Sequence, residues 1–353
     1  MAQIDNIVRL IVSKRKVMFI AEAGVNHNGD IEMAKKLIDV AAEAGADYVK
    51  FQTYKTEQLV TQTAEQAAYQ KENTGGEETQ FAMLKRLELK YEDHYVLKAY
   101  AESKHIKFLS TAFDEESIAF LFKLGIDFFK VPSGEITNYF YLRNIAQKGL
   151  PIVLSTGMSD MEDIRNAVKV LLDFGVKKAD LVILHCNSQY PSPIEDVNLS
   201  AMLTIQKAFD VAVGYSDHTA GLDVSIAAVA MGAVVIEKHF TLDKNLPGPD
   251  HKASLEPDEL KQYVQQIRST ELLLGNGIKQ PSNSERVNMS VGRKSLHAKT
   301  AIKKGNVLSE DNVFACRPGN GISPMEWEKL KGKVINTSIE KMQVIYMTDL
   351  VLL

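Results

Sequence analysis

"VMFIAEAG" (17–24), "IEMAKKLIDVAAEAG" (31–45) and "DYVKFQT" (47–53) decide the fold. The first and third stretches are short apolar runs rich in β-branched and aromatic residues. They do not alternate cleanly between apolar and polar positions, which is the pattern of strands buried on both faces. Between them, apolar residues recur at spacings of three and four and stop at Gly45, the signature of an amphipathic helix with a glycine stop. Strand, helix and strand in that order make a parallel crossover unit.

The unit repeats along the chain. Similar runs follow at "IKFLST" (106–111), "DFFKVPS" (127–133), "PIVLST" (151–156), "DLVILHC" (180–186), "VAVGYSD" (211–217) and "AVVIEKHF" (233–240), eight in all. "MEDIRNAVKVLLDFG" (161–175) is a second clear helical pattern between them. Eight alternations predict an α/β chain closed into a (β/α)₈ TIM barrel. An open doubly wound sheet is the alternative, weakened because no G-x-G-x-x-G follows the first strand.

The pattern changes after about residue 275. "GNGIKQPSNSERVNMS" (275–290) is polar and turn-rich and reads as a linker. The expected organisation is a catalytic barrel over 1–280, a linker over 281–291 and a small β-rich domain over 292–353. The small domain has few large apolar residues, so it is expected to lean on a partner surface.

Composition narrows the function classes. The 353 residues are 45% hydrophobic, enough for a sizeable core, and the net charge is −4. That charge gives no basic footprint for nucleic acid. No apolar run is long enough to span a bilayer. The two cysteines, Cys186 and Cys316, form neither a disulfide framework nor a zinc spacing, which fits a reducing cytoplasm. The N-terminal "MAQIDNIVRLIVSKRK" has no long apolar region before a cleavage site, so no signal peptide is expected.

A barrel places its chemistry at the C-terminal ends of its strands. Polar and ionisable residues gather there: Glu22, Lys50 and Gln52, then Ser110 and Thr111, Lys130, Ser133 and Glu135, and Ser155 and Thr156. The later strands add His185, Ser188, Tyr190, Ser216, His218, Glu237 and His239. Lys50 and Lys130 interrupt apolar runs, and an inward lysine is costly to desolvate unless it meets an anion. Three readings stand for them: an ion pair with Glu22 or Glu135, a Schiff-base lysine, or a phosphate or carboxylate clamp. A lone strand-end histidine is most often a hydrogen-bonded core residue. The pair His218 and His239, at the ends of adjacent strands seven and eight, points instead to ligands of a divalent metal with open positions for substrate.

Seven strings together carry a resemblance: "IAEAGVNHNGD", "KVPSGEITN", "LSTGM", "LHCNSQYPSPIEDVNL", "GYSDHTAG", "EKHFTLDKNLPGPDH" and "RPGNGIS". In this order they are similar to the sialic acid synthase family, bacterial N-acetylneuraminate synthase and its relatives. The resemblance covers the chain from about residue 17 to its end. It implies a (β/α)₈ barrel followed by a small antifreeze-like (SAF, β-clip) domain, in a domain-swapped homodimer. It implies condensation of phosphoenolpyruvate with N-acetylmannosamine, or a related amino sugar, with release of phosphate. Legionaminic acid synthesis from a 2,4-diacetamido sugar is the near alternative.

The resemblance also implies roles. His218 and His239 fall at the family's metal ligands, with Mn²⁺ usual and Mg²⁺ or Co²⁺ possible. Lys50, Thr111, Lys130, Ser133, Ser155, Ser188 and Ser216 fall where phosphoenolpyruvate is held, with Gln52 beside them, and Ser188 departs from the Asn or Thr of some members. Glu22 and Glu135 match the catalytic or water-positioning carboxylates. Tyr190 and Asp250 lie in the sugar-binding stretch, and Arg317 matches an arginine that reaches the sugar from the partner's small domain.

Other classes are a metal-free Schiff-base lyase, a synthase of 3-deoxy-2-keto acids, and a carbohydrate- or ice-binding protein suggested by the tail alone. The stretch "AYQKENTGGEETQFAMLKRLEL" (68–89), after strand two, is expected to help choose the sugar. Asp30 is expected to cap a helix, Cys186 to be a buried small hydrophobe, and Trp327 and the terminal "MTDLVLL" to pack the small domain or its docking surface.

Overall fold

All seven residues of β1 (Met18–Gly24) are buried, as a strand covered on both faces requires. The computed structural model describes residues 16–76 and 78–351, and of Tyr69 the backbone alone. The N-terminal stretch read for a leader, up to residue 15, and the last two leucines of the tail lie outside the described residues.

The other barrel strands are β2 (Tyr48–Thr53), β3 (Lys107–Ala112), β4 (Phe129–Val131), β5 (Ile152–Ser155), β6 (Leu181–Cys186), β7 (Ala212–Asp217) and β8 (Val235–His239). Their hydrogen-bonded order is β3-β2-β1-β8-β7-β6-β5-β4, and each pair is parallel. The end strands β3 and β4 are spatial neighbours, so the sheet curls into the expected barrel, nearly closed. β4 is shorter than the apolar run 127–133 suggested. Pro132 has no N–H to continue a ladder, and Ser133–Glu135 turns as a 3₁₀ segment.

The crossovers are helical. α1 (Ile31–Ala44) starts at Asp30, whose carboxylate accepts from the Glu32 and Met33 N–H groups, and stops at Gly45 with φ +81°. Its buried face is Ala34, Leu37, Ile38, Ala41 and Ala44. After β2 come three short helices, α2 (Thr56–Leu59), α3 (Ala68–Thr74) and α4 (Gln80–Leu87), and then α5 (Tyr91–Ser103). The later crossovers hold α6 (Glu115–Leu124), α7 (Tyr139–Gln147), α8 (Met161–Asp173), α9 (Ser200–Phe209) and α10 (Asp223–Ala230), and α11 (Pro257–Leu274) follows β8. No described helix is long and apolar enough to cross a membrane.

The barrel core packs strand residues such as Phe19, Val49 and Leu109 against helix residues such as Leu37, Ile118 and Ile267. A separate small core lies under the β2–β3 stretch. There Val25, Tyr54, Met83 and Leu87 are buried together, with Leu59, Leu84 and Phe113 packed against them. This second core holds the long connection in place at the strand C-termini.

The chain divides into two compact units, one ending at Gly275 and one beginning at Asn276. In the second unit, residues expected as a linker form α12 (Asn283–Gly292), started by a Ser282–Glu285 capping box. β9 (Ser295–Ala298) pairs antiparallel with β10 (Val313–Cys316). The unit buries its own core, which includes Leu296, Ile302, Ile335, Ile339 and Ile345, and Trp327 packs against it as expected.

Candidate active site

Strand register assembles the site. Glu22 on β1 is level with Lys50 on β2 and with His239 on β8, while Gln52 is level with Thr111 on β3. Ser216 on β7 is level with Glu237 on β8. Period-two alternation then turns Lys50 and Gln52, or Glu237 and His239, to one face of their strands. Around Gly24 (φ +54°), a Cβ would meet Glu22 Oε1 at 3.4 Å, Gln52 Nε2 at 3.5 Å and His239 Cε1 at 3.6 Å, so the three groups converge on one point.

These residues open into a cavity of about 480 Å³, within the usual range for small-ligand sites. Every barrel residue assigned from the sequence lines it: Glu22, Lys50, Gln52, Thr111, Lys130 and Ser133, and also Glu135, Ser155, Ser188, Tyr190, Ser216, His218, His239 and Asp250. Arg317 lies in the second unit, exposed, with Nε donating to Gly292 O at 3.0 Å.

At the floor are two lysines and two glutamates, all buried. Lys50 Nζ lies 2.7 Å from Glu22 Oε2 and 3.7 Å from Glu237 Oε2, and donates to Thr111 Oγ1 at 3.0 Å. Lys130 Nζ lies 3.4 Å from Glu237 Oε1 and donates to Ser155 Oγ at 2.7 Å. Ser216 Oγ donates to Glu237 Oε1 at 2.9 Å. The lysines therefore pair with Glu22 and Glu237. Glu135, the other partner considered from the sequence, accepts from Asn138 Nδ2 at 2.7 Å in the turn after β4.

The electrostatics of the floor are asymmetric. Burial raises the Glu22 carboxyl, which Lys50 only partly offsets. Burial works the same way on Glu237, but the Lys130 and Lys50 ammoniums overcome it and hold that carboxyl low. Glu237 thus carries the charge between the lysines and burial lifts Glu22 to about 7, while burial also lowers Lys130, so the floor's groups sit where a bound anion shifts their protons. Sequence reasoning saw Glu237 on the rim but gave it no role; its place two residues before His239 was the available signal.

Two serines complete this side. The Gly157 N–H donates to Ser133 Oγ at 2.9 Å, and the Ser133 hydroxyl lies 3.3 Å from Cys186 Sγ. A Cβ at Gly157 would collide with Ser188 Oγ and approach Ser133 Oγ at 2.9 Å, so the glycine lets both hydroxyls close in. Cys186 is buried, as expected of a small hydrophobe.

The two histidines face each other with ring centroids 5.5 Å apart. Tyr190 packs on both, at 4.1 Å from His218 and 5.6 Å from His239. The His218 ring donates through Nδ1 to Asn187 O at 2.5 Å, which leaves Nε2 as its lone-pair nitrogen. Burial lowers the His218 pKa to about 4 and drives that of His239 well down, so both rings are neutral. His239 Nδ1 and Glu237 Oε2 are buried with no hydrogen-bond partner. Neutral, adjacent imidazoles with an orphaned ring nitrogen fit a divalent metal. Among the described residues no group of three or more His, Cys, Asp and Glu converges as a metal cluster. Protein ligation would rest on this pair.

Asp250, buried in the loop after β8, has its carboxyl raised to about 6 by burial. Asn26 and His27, just beyond β1, are fully buried: Asn26 Nδ2 donates to Phe240 O and Ser254 Oγ and ties two loops together. The stretch 68–89, expected to help choose the sugar, does border the cavity through Gln70, Gln80, Met83, Leu84 and Leu87, and the side chains the sequence did not single out are Leu59 and Val60 before it and Phe113 just after β3. No position among Leu59, Val60 and Phe113 is marked by its local sequence, since a single apolar residue at a helix or strand end carries no functional signal of its own.

Residues 37–279 match the NeuB family and residues 293–351 match the SAF domain. The chain is 50% identical over 331 residues to the N,N'-diacetyllegionaminic acid synthase of Campylobacter jejuni, covering 94% of this chain and 99% of that one. It is 49% identical to the N,N'-diacetyllegionaminic acid synthase of Legionella pneumophila, covering 93% and 92%. Among solved structures, the N-acetylneuraminic acid synthetase of Leptospira borgpetersenii, in complex with citrate, is similar at 35% identity and a TM-score of 0.68. That match covers 77% of this chain and 90% of the other.

Proposed function

The chain belongs to the NeuB family, and from that premise we propose that it condenses phosphoenolpyruvate with 2,4-diacetamido-2,4,6-trideoxy-mannose and water. The products are N,N'-diacetyllegionaminic acid and phosphate. The observation that carries the choice of sugar is the half-identity, over nearly the full length of both chains, to a synthase of that acid. N-acetylmannosamine, the first expectation from the sequence, becomes the second reading, favoured by the likeness to an N-acetylneuraminic acid synthetase structure.

The floor residues act on the anionic donor. Lys50 and Lys130 supply positive charge, and Thr111, Ser133, Ser155, Ser188 and Ser216 supply hydroxyls for its carboxylate and phosphate. Gln52 adds an amide. Held there, C3 of phosphoenolpyruvate faces the aldehyde carbon of the open-chain sugar. His218 and His239 would hold a divalent metal, with Mn²⁺ the first candidate and Mg²⁺ or Co²⁺ alternatives; bound there, it supplies Lewis acidity toward the aldehyde oxygen.

When C3 attacks the aldehyde carbon, positive charge develops at C2. Glu135, half-buried at the cavity wall with its carboxyl raised by burial, orients water toward C2 and takes its proton. The tetrahedral centre then expels phosphate with the bridging oxygen. Glu22, biased toward its neutral form, keeps a proton beside the reacting groups. Tyr190 and Asp250 hold the sugar, and in a domain-swapped homodimer Arg317 contributes a planar donor for an amide carbonyl to the neighbouring subunit's site. The setting is the cytoplasm, where both small-molecule substrates are met without nucleic acid or membrane.

The test is product identity. Phosphoenolpyruvate and the diacetamido sugar, incubated with the protein and Mn²⁺, should give a nine-carbon keto acid bearing two acetamido groups, identified by mass spectrometry and NMR. Absence of that acid, with phosphoenolpyruvate recovered intact, overturns the reading.

A further inference from the structure

The β2–β3 stretch brings a distinctive surface to the cavity. From residues 54–89, the side chains that line it are Leu59, Val60, Met83, Leu84 and Leu87, together with Ala67, Gln70 and Gln80. None of the charged residues of this stretch lines the cavity, among the described residues. They pair with one another elsewhere: Lys55 with Glu88, Lys85 with Glu57 and Glu88, Arg86 with Glu78, and Lys71 with Glu65. Met83 and Leu87 belong to the small buried core and fix the surface from behind, while Leu59, Val60, Leu84 and Phe113 remain partly open. The exposed part of the wall is therefore aliphatic and aromatic. Its polar groups are amides, with the Gln70 side-chain oxygen already accepting from the Ala67 N–H.

The rest of the cavity has the opposite character. Lysines, serines and threonine make its floor, and the two histidines stand at the ends of β7 and β8. A phosphorylated anion belongs at that charged floor, and this leaves the apolar wall to the sugar.

We propose that Val60, Leu84 and Phe113, backed by Met83 and Leu87, form the surface that selects the sugar, by seating the C6 methyl and an acetamido methyl. A hydroxyl pressed on this wall gives up water without gaining a partner, whereas a methyl gains burial. Gln70 and Gln80 can pair with the amide of an acetamido group, and the discrimination rests on the apolar side chains. N-acetylmannosamine brings hydroxyls at C4 and C6 to the same wall. This inference rests on the diacetamido reading above and assigns its specificity to particular side chains.

The experiment compares kcat/KM for the diacetamido trideoxy sugar and for N-acetylmannosamine in the wild type, Val60→Thr and Leu84→Gln. Val60→Thr keeps the side-chain shape and changes only a methyl to a hydroxyl, so it serves if Leu84→Gln fails to fold. The expected result is a wild-type preference for the diacetamido sugar that falls about tenfold or more in each folded variant. The phosphoenolpyruvate KM should stay within about twofold, because uniform disruption of the site would move it as well. A wild-type preference that survives both substitutions overturns the role of the wall and leaves the proposed substrate standing. A wild-type preference for N-acetylmannosamine overturns the proposed substrate, and the wall's assignment with it.

Discussion

Asp217 and Lys238 are register partners on β7 and β8, and each immediately precedes a histidine of the candidate site. Lys238 Nζ lies 3.3 Å from Asp217 Oδ1, and both side chains are almost fully buried. Tyr263 and Ser225 donate to Asp217 Oδ2 at 2.7 Å and 2.9 Å, and Thr219 donates to Oδ1 at 2.7 Å. Alternation along the strands puts this network on the side opposite His218 and His239. A buried pair broken on one side leaves an uncompensated charge. Lys238→Met should therefore cost about 3–5 kcal/mol in urea unfolding, and the double variant with Asp217→Asn should recover part of it. A double variant no more stable than Lys238→Met would show that the charge balance does not matter.

His27 links stability to pH. Its Nδ1 accepts from the Gly29 N–H at 3.0 Å and its Nε2 is buried without a partner. Burial, with His94 and His251 nearby, lowers its pKa to about 3. The unfolded chain takes up this proton near 6.5, so the unfolded state binds more protons between those values. The stability is present above about 6.5 and is lost as pH falls toward 3. Relative to His27→Gln, the wild type should lose roughly 2 kcal/mol more between pH 7 and pH 5. Equal slopes in the two proteins would contradict the buried neutral ring.

Asp250 should show itself in the sugar KM. With its carboxyl raised to about 6 by burial, it is ionised at neutral pH and protonated below. The ionised form accepts hydrogen bonds from a sugar more strongly. The sugar KM should rise as pH falls through about 6, and Asp250→Asn should be high and flat across that range. An unchanged pH profile in Asp250→Asn would remove Asp250 from the sugar site.

Gly157→Ala tests the donor site. The added Cβ would meet Ser188 and Ser133, both assigned to phosphoenolpyruvate. The phosphoenolpyruvate KM should rise about tenfold or more with little change in the sugar KM. A rise confined to the sugar would reverse the division of the cavity.

The barrel was legible because its strands are buried on both faces and its helices are amphipathic, so periodicity reports both. The short β4 was hidden by apolar residues that continue to Pro132. The helix over Asn283–Gly292 escaped because its sequence is polar, although the Ser282 and Glu285 box was readable. In the site, the strand-end pattern and the motif strings together led to the residues that line the cavity, because most of these sit at strand ends or in the loops that follow them. Glu237 heads the string "EKHFTLDKNLPGPDH" but was given no role there, because its weight comes from two lysines supplied by distant strands. The stretch 68–89 was legible as a wall of the sugar site from its place after strand two, but which of its side chains meet Val60 and Phe113 at the cavity follows only from the folding of the β2–β3 stretch.

The most direct test is the rate of phosphate release from phosphoenolpyruvate by metal-stripped protein, with each sugar and with or without Mn²⁺. The expected result is release with the diacetamido sugar that appears on adding Mn²⁺, with N-acetylmannosamine at least about tenfold poorer in kcat/KM. Release that ignores the metal would contradict the two-histidine site, and release with neither sugar would contradict the proposed reaction.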